Sequence, residues 1–240
     1  MQNFYSDRVS FTDTTVTLNG NEYRHATRSC RVKVGEVIGV MDGCGKRVEA
    51  RIVSIGRKTL TAVIEHDRSG RGEPSLAIHL ALSLIKPARF ELAIEKCTEL
   101  GARRFIPVIT ERCAWRPERF NFDRLKKIAF EAAKQSGRSW LPSITEPVNL
   151  SDVFAYTHGI VLVALRHAEQ HIGSLVKHLS GSDDITLIIG PEGDFTDMEC
   201  DILMTGNALP VSLSGLTLRS ETAAIIATAL CCSYTRKIMD

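Results

Sequence analysis

The sequence predicts an α/β fold: a small β-barrel over residues 1–72, followed over residues 73–240 by a parallel sheet with helices on both faces. Three observations carry this. Short β-branched runs separated by turn signals fill the first 70 residues. A polar, Gly-rich segment, Asp67 to Pro74, marks a boundary. Beyond it, apolar strand runs alternate with helical spacing, the pattern of a parallel sheet buried on both sides.

In the first part, Thr14–Leu18, Val37–Val40, Val48–Ile55 and Thr59–Ile64 read as strands. Asn19-Gly20, Asp42-Gly43 and Gly56-Arg57 mark the turns between them. A short helix is expected around Glu22 to Cys30. In the second part, Leu76–Ile85 is an apolar strand run. Arg89–Leu100 is a helix with Phe90, Ala93, Ile94, Cys97 and Leu100 on one face and Gly101 beyond it as a C-cap. Phe105–Ile109 is the next strand and Asn121–Ser136 the next helix, stopped at Gly137. Ile160–Leu165 and Ile185–Ile189 read as buried strands. Thr196-Asp-Met-Glu199 matches a capping box, so a helix should start at Asp197. Leu209–Leu213 reads as a short strand and Glu221–Lys237 as a closing helix.

Composition narrows the function classes. At 44% hydrophobic and 24% charged residues the chain is of ordinary globular type. Its longest apolar stretch, Ala223 to Cys232, is about half of the roughly 20 residues a membrane span needs. The N-terminus lacks the pattern of a secretory signal, so a cytoplasmic protein with seven reduced cysteines and no membrane is expected. No cysteine pair has zinc-ligand spacing. The net charge of +2 is unevenly spread: residues 1–138 carry 25 Lys/Arg against 16 Asp/Glu, and the remainder 5 against 12. An anionic partner such as nucleic acid would therefore meet the first 138 residues; a solvated basic face is the plainer alternative.

Several apparent motifs fail on spacing. Gly39 to Lys46 lacks the phosphate-loop spacing and has Arg47 where Ser or Thr would bind magnesium; it reads as a hairpin turn. His167-Ala-Glu-Gln-His171 has its Glu displaced from the zinc-protease position, so no metal site is expected. Gly-x-Gly-x-x-Gly and Gly-x-Ser-x-Gly are absent, which excludes a dinucleotide loop and a hydrolase elbow. Two segments remain. Ile189-Gly-Pro-Glu-Gly193 turns at the end of a buried strand, where α/β sheets bind ligands and where glycine lets backbone approach closely. Leu218-Arg-Ser-Glu-Thr-Ala223 enters the last helix, and Arg219 there is a cation beside the positive end of a helix dipole. The helix gains nothing from it, so Arg219 is a candidate for another role.

Taken with His25–Glu36, Lys86, Glu95–Gly101, Pro107, Glu111-Arg112, Glu131–Arg138 and Pro142, these segments resemble the ribosomal RNA small-subunit methyltransferase E family of the SPOUT class, over nearly the whole chain. The resemblance implies an N-terminal PUA-like β-barrel for RNA docking and a C-terminal trefoil-knotted α/β domain. It also implies S-adenosylmethionine as cofactor, a homodimer, and methylation at N3 of one uridine in 16S rRNA. Carried onto this sequence, cofactor contacts are expected at Leu165, Ile189, Gly190, Pro191, Glu192, Gly193, Leu213, Leu216, Leu218 and Thr222. Arg219 would stabilise a uracil anion, and Glu221 would orient Arg219 or accept the proton. RNA contacts are expected from Arg8, Arg28, Arg31, Lys86, Lys96, Arg112, Gln135 and Arg138. Asp194 stands where the family has a second glycine, and Leu216 where it has an arginine. Two other readings stay open: a knotted methyltransferase with a different RNA target, and a noncatalytic RNA-binding or ribosome-assembly factor.

Overall fold

The computed structural model describes residues 1–7, 10–113, 115–177 and 184–235. It divides into two compact units. Unit 1 is Met1–Glu73 with Phe130–Leu141; unit 2 is Pro74–Ala129 with Pro142–Asp240. The sequence predicts a single cut after residue 72; the structure also groups the segment from Phe130 to Leu141 with the N-terminal unit.

Unit 1 is built on a curled five-stranded sheet of β1 (Asn3–Tyr5), β2 (Thr15–Leu18), β3 (Val37–Met41), β4 (Arg47–Ile55) and β5 (Leu60–Asp67), in the order β1-β3-β4-β5-β2. Only β1 and β3 are parallel. In β4, alternate residues Val48, Ala50 and Ile52 turn inward. They pack on Phe4, Leu18, Ile38 and Leu60 in a core of their own. The Ser6 hydroxyl, just past β1, donates to the Thr17 carbonyl of β2 at 2.6 Å and so ties one sheet edge towards the other. The expected helix starts earlier, as α1 (Gly20–Arg24), and continues as a π turn, His25–Ser29.

The segment from Gly39 to Lys46 is the end of β3 and the hairpin turn, residues 42–46, that leads into β4. Asp42 Oδ1 accepts from the amides of Cys44 (2.7 Å) and Lys46 (3.0 Å), so the donors a phosphate would need are already occupied. Gly45 has φ +109°, and a Cβ there would meet the Trp140 ring at 2.6 Å.

Unit 2 contains β6 (Ile78–Ser83), α2 (Pro87–Glu99), β7 (Ala102–Ile109), α3 (Phe122–Ser136, its first half), β8 (Ser143–Ile144) and β9 (Val148–Asn149). They are followed by β10 (Ile160–Ala164), α4 (Ile172–Val176), β11 (Ile185–Ile189), α5 (Asp197–Thr205), β12 (Leu209–Val211) and α6 (Ser220–Thr235). Its sheet runs β12-β10-β11-β6-β7-β8, with β9 also on β7, and every pairing is parallel. Strands β6 and β11 are buried at every residue. On one face Leu80, Leu82, Leu187 and Ile189 pack with residues of α2 and α6, including Phe90, Ile94, Ala224 and Ala227. On the other, Ala81, Ile106, Val163 and Ile188 pack with Leu150, Val153, Phe195 and Leu203. The expected capping box is present at Thr196 and Glu199.

Elements absent from the sequence reading are β1, β8, β9, α4 and the 3-10 turns at Pro117–Arg119 and Leu150–Ala155. The β12 strand stops at Val211, two residues short of expectation, because Ser212 leaves the sheet to bond Gln170 and Ile172. Cys97 and Cys231 lie inside the α2–α6 core, where burial pushes each thiol up to about 12 and keeps it protonated. Among the described residues no helix is long and apolar enough to cross a membrane.

Candidate functional site

Three parallel strands, β10, β11 and β12, end side by side, and the segments leaving their carboxyl ends surround a cavity of about 300 Å³. This is where an open α/β sheet binds ligands, because backbone groups there have no further ladder partners.

The first wall is the turn after β11. Ile189, Gly190, Pro191, Glu192 and Gly193 all line the cavity. Asp194 follows with φ +61°, a left-handed conformation that side chains rarely adopt. Its amide donates to the Pro191 carbonyl (3.1 Å), and its Oδ1 accepts from the Phe195 amide (2.9 Å). Arg112 braces this turn from outside: its Nη1 donates to the carbonyls of Gly193 (3.0 Å) and Phe195 (3.4 Å). Glu199 adds a second brace. It accepts the Glu111 amide at 2.7 Å through Oε1 and the Thr196 amide at 2.9 Å through Oε2.

Gly190 has no room for a side chain, since a Cβ would lie 2.9 Å from Cε2 of Phe195. Phe195 is a core residue, so its ring gives way only by disturbing Ile188 and Leu203. Gly190→Ala is expected to destabilise the chain by about 1–3 kcal/mol, a cost typical of overpacking. Urea unfolding of the variant measures it, and an unchanged midpoint would show that the turn yields freely.

The second wall follows β12. Leu213, Leu216 and Leu218 line the cavity together with Ser214 and Thr217. His171 holds the start of this segment. Its Nδ1 accepts from the Gly173 amide (3.1 Å) as the cap of α4, so the neutral ring carries its proton on Nε2, which donates to the Leu213 carbonyl at 3.2 Å. Both ring nitrogens are thus occupied. The pair His167 and His171, weighed above as ligands, belongs to no metal-holding group among the described residues. The third wall is Ala164, Leu165 and Arg166 after β10. A wider depression of about 650 Å³ shares Leu165, Arg166 and Asp194 with this cavity.

Ser220 and Ala223, at the start of α6, complete the lining. Thr222 and Arg219 do not line it; Arg219 is exposed just before the first turn. Glu221 is 6% exposed, with Oε2 unpartnered among the described residues. Its cation is not Arg219 but Arg89 of α2, whose Nε lies 3.7 Å from Glu221 Oε1. The same guanidinium reaches Glu192 Oε1 through Nη1 at 3.3 Å. One arginine therefore joins the turn after β11 to the head of α6, a contact invisible to local sequence spacing. Arg166 and Ser214 were also missed, although Arg166 follows a strand end just as Gly190 does.

The cations expected to face RNA divide into several environments. Arg28 and Arg31 are exposed in unit 1, the first inside the π turn and the second at φ +54°, and Gln135 is exposed there too. In unit 2, Lys86 is exposed at the cap of α2. Lys96 lies between Glu95 (2.7 Å) and Glu99 (2.9 Å), whose carboxylates push its ammonium above the ordinary lysine value. One of these expectations is corrected by burial, while Arg112 stays exposed and has a task within the chain. Arg138 is only 5% exposed and holds Glu73, so its guanidinium braces unit 1. Arg112 directs Nη1 to the pocket turn. Arg8 lies outside the described residues.

Comparison with known proteins adds independent findings. A family profile described as an RNA methyltransferase domain matches residues 72–232. A second, described as an RNA methyltransferase PUA domain, matches residues 18–65. A Synechocystis protein named ribosomal RNA small subunit methyltransferase E is 33% identical over 221 residues, 90% of this chain and 72% of that protein. A Rickettsia conorii protein of the same name is 34% identical over 202 residues, 83% of this chain and 81% of that one. A solved structure of that name from Neisseria gonorrhoeae, bound to S-adenosyl methionine, is similar at TM-score 0.82 and 28% identity, covering 95% of each chain. A Legionella pneumophila structure with the bound cofactor SAM is similar at TM-score 0.78 and 27% identity, covering 96% of each.

Proposed function

The chain belongs to the ribosomal RNA small-subunit methyltransferase E family, and from that premise we propose that it methylates N3 of one uridine in 16S rRNA, using S-adenosylmethionine. The observation that carries the cofactor part is the cavity at the ends of β10, β11 and β12, walled by close-approaching backbone around Gly190 and Gly193. Its residues suit a nucleoside joined to an amino acid. Leucine and isoleucine side chains offer apolar surface, strand-end backbone offers hydrogen bonds, and Arg166, Glu192 and Asp194 offer charge. We assign cofactor contact to Leu165, Ile189, Gly190, Pro191, Glu192, Gly193, Leu213, Leu216 and Leu218; Thr222 does not line the cavity and is left out of this assignment.

When bound, the cofactor supplies a methyl group whose bond to a positively charged sulfur breaks, leaving the electron pair on sulfur. The chain must hold the uracil in line and deal with the N3 proton. Arg219, exposed at the mouth of α6, is assigned to stabilising the uracil anion through its carbonyl oxygens. Glu221 faces Arg89 through Oε1. Its carboxylate, in the first turn of α6, is assigned to accepting the N3 proton.

RNA docking is assigned to Arg28 and Arg31 of unit 1 and to Lys86 of unit 2, each exposed and basic. The same reading makes the chain a cytoplasmic homodimer carrying the trefoil knot of the SPOUT class. Leu216, 78% exposed at the cavity rim, is a side chain a second copy would cover. Two measurements test the function. Calorimetry should show S-adenosylmethionine binding; no binding under any condition would favour a noncatalytic RNA-binding factor. Mass mapping of 16S rRNA from cells lacking the protein should show one uridine without its N3 methyl. Persistence of that methyl would point to another RNA target.

A further inference from the structure

Asp194 is a charged residue in a backbone conformation that glycine adopts without strain. At φ +61° any side chain is disfavoured, though Asp and Asn tolerate the region best. The residue lines the cavity, and its Oδ1 caps the Phe195 amide. Of the two acidic residues in the lining, Glu192 faces the Arg89 guanidinium, whereas Asp194 has no ion-pair partner among the described residues. Arg166 also lines the cavity, but no ion pair joins it to Asp194 among the described residues, so the Asp194 carboxylate is left for a ligand to meet, at a position where a bare turn would form more easily without it.

We propose that Asp194 makes this cavity discriminate by charge, favouring the sulfonium cofactor over its demethylated thioether product. The inference rests on the cofactor reading above. S-adenosylmethionine carries one more positive charge than S-adenosylhomocysteine, because transfer of the methyl leaves sulfur neutral. A carboxylate lining the cavity attracts the first more than the second. The expected consequence is easier exchange of product for fresh cofactor, since part of the attraction vanishes as the methyl leaves.

The test is calorimetry on the whole chain with three probes: S-adenosylmethionine, S-adenosylhomocysteine and sinefungin, which carries an ammonium in place of the methylsulfonium. Two variants separate charge from turn formation. D194N keeps a side-chain oxygen for the Phe195 amide and tolerates positive φ; D194G removes the side chain and suits the turn. The preference for S-adenosylmethionine over S-adenosylhomocysteine should fall by roughly three- to tenfold in both variants, the range of a partly screened charge pair. Sinefungin should lose affinity in parallel with S-adenosylmethionine. In the unaltered chain the preference should shrink as salt rises from roughly 50 to 500 mM. If D194N keeps the full preference while both ligands bind, the charge proposal is wrong. If only D194G differs, Asp194 is a turn former and the proposal is equally wrong. If neither ligand binds the unaltered chain, it is the cofactor reading that fails.

Discussion

Glu73→Ala should lower the unfolding free energy of unit 1 by about 3–5 kcal/mol, the range for removing one partner of a buried ion pair. The Glu73 side chain is 8% exposed and that of Arg138 5%. Oε2 accepts from Arg138 Nη2 at 2.8 Å and Nε at 3.2 Å. Oε1 accepts from the Ser139 amide at 2.8 Å and more weakly from that of Trp140 at 3.3 Å. The alanine variant takes the carboxylate away from a buried guanidinium and two amides together. The loss would spread, because the same segment is laced to the β3–β4 hairpin: Gly45 donates to the Ser139 carbonyl (2.9 Å) and Leu141 to the Gly43 carbonyl (3.0 Å). Glu73→Gln keeps an acceptor for the amides and should fall between the two. A paired Glu73→Met, Arg138→Met change should recover much of the loss, since the desolvation of both charges disappears with them. Urea unfolding followed by tryptophan fluorescence in a Trp115→Phe background, where Trp140 is the reporter, measures all three. A loss below about 1 kcal/mol for Glu73→Ala would place the pair with weak surface ion pairs.

Arg138 also shows where sequence reading runs out. Its type and basic surroundings matched a phosphate contact, yet its partner lies 65 residues away. Arg112 is similar: its carbonyl partners are 81 and 83 residues distant. The Arg89 bridge spans 103 residues to Glu192 and reaches Glu221 at the head of α6. No window on the sequence brings such groups together. What was legible was local or strongly patterned. The Thr196–Glu199 capping box operates over three residues and stood where expected. Strands β6 and β11 were legible because parallel strands are buried on both faces and so read as continuous apolar runs. Strands β8 and β9 have two residues each and exist only as additions to β7, leaving no periodicity to find. For Asp194 the residue type was visible, but only the backbone shows that it takes the left-handed conformation, at φ +61°.

Arg219→Ala should lower turnover by about 10²–10³-fold, the cost of losing one preorganised charge or donor in a developing-anion site. Cofactor affinity should stay within about threefold, because Arg219 does not line the cavity that Gly190 and Leu218 share. Stability supplies the discriminating readout. The Arg219 carbonyl accepts the first helical bond of α6 from the Ala223 amide at 2.8 Å, so the residue sits at the positive end of the helix dipole. A cation there is unfavourable by a few tenths of a kcal/mol to about 1 kcal/mol, and alanine relieves it. A residue kept for the fold should lose stability and activity together. One kept for chemistry at a cost to its helix should lose activity while the unfolding midpoint holds or rises. The two outcomes have opposite signs on stability, so thermal unfolding beside single-turnover kinetics separates them. Arg219→Lys adds a finer test: a lysine keeps the charge but not the planar pair of donors. Partial rescue would mean that charge carries most of the effect, and no rescue would mean that two-pronged contact to a uracil carbonyl does. Near-normal turnover in Arg219→Ala would remove this residue from the active site.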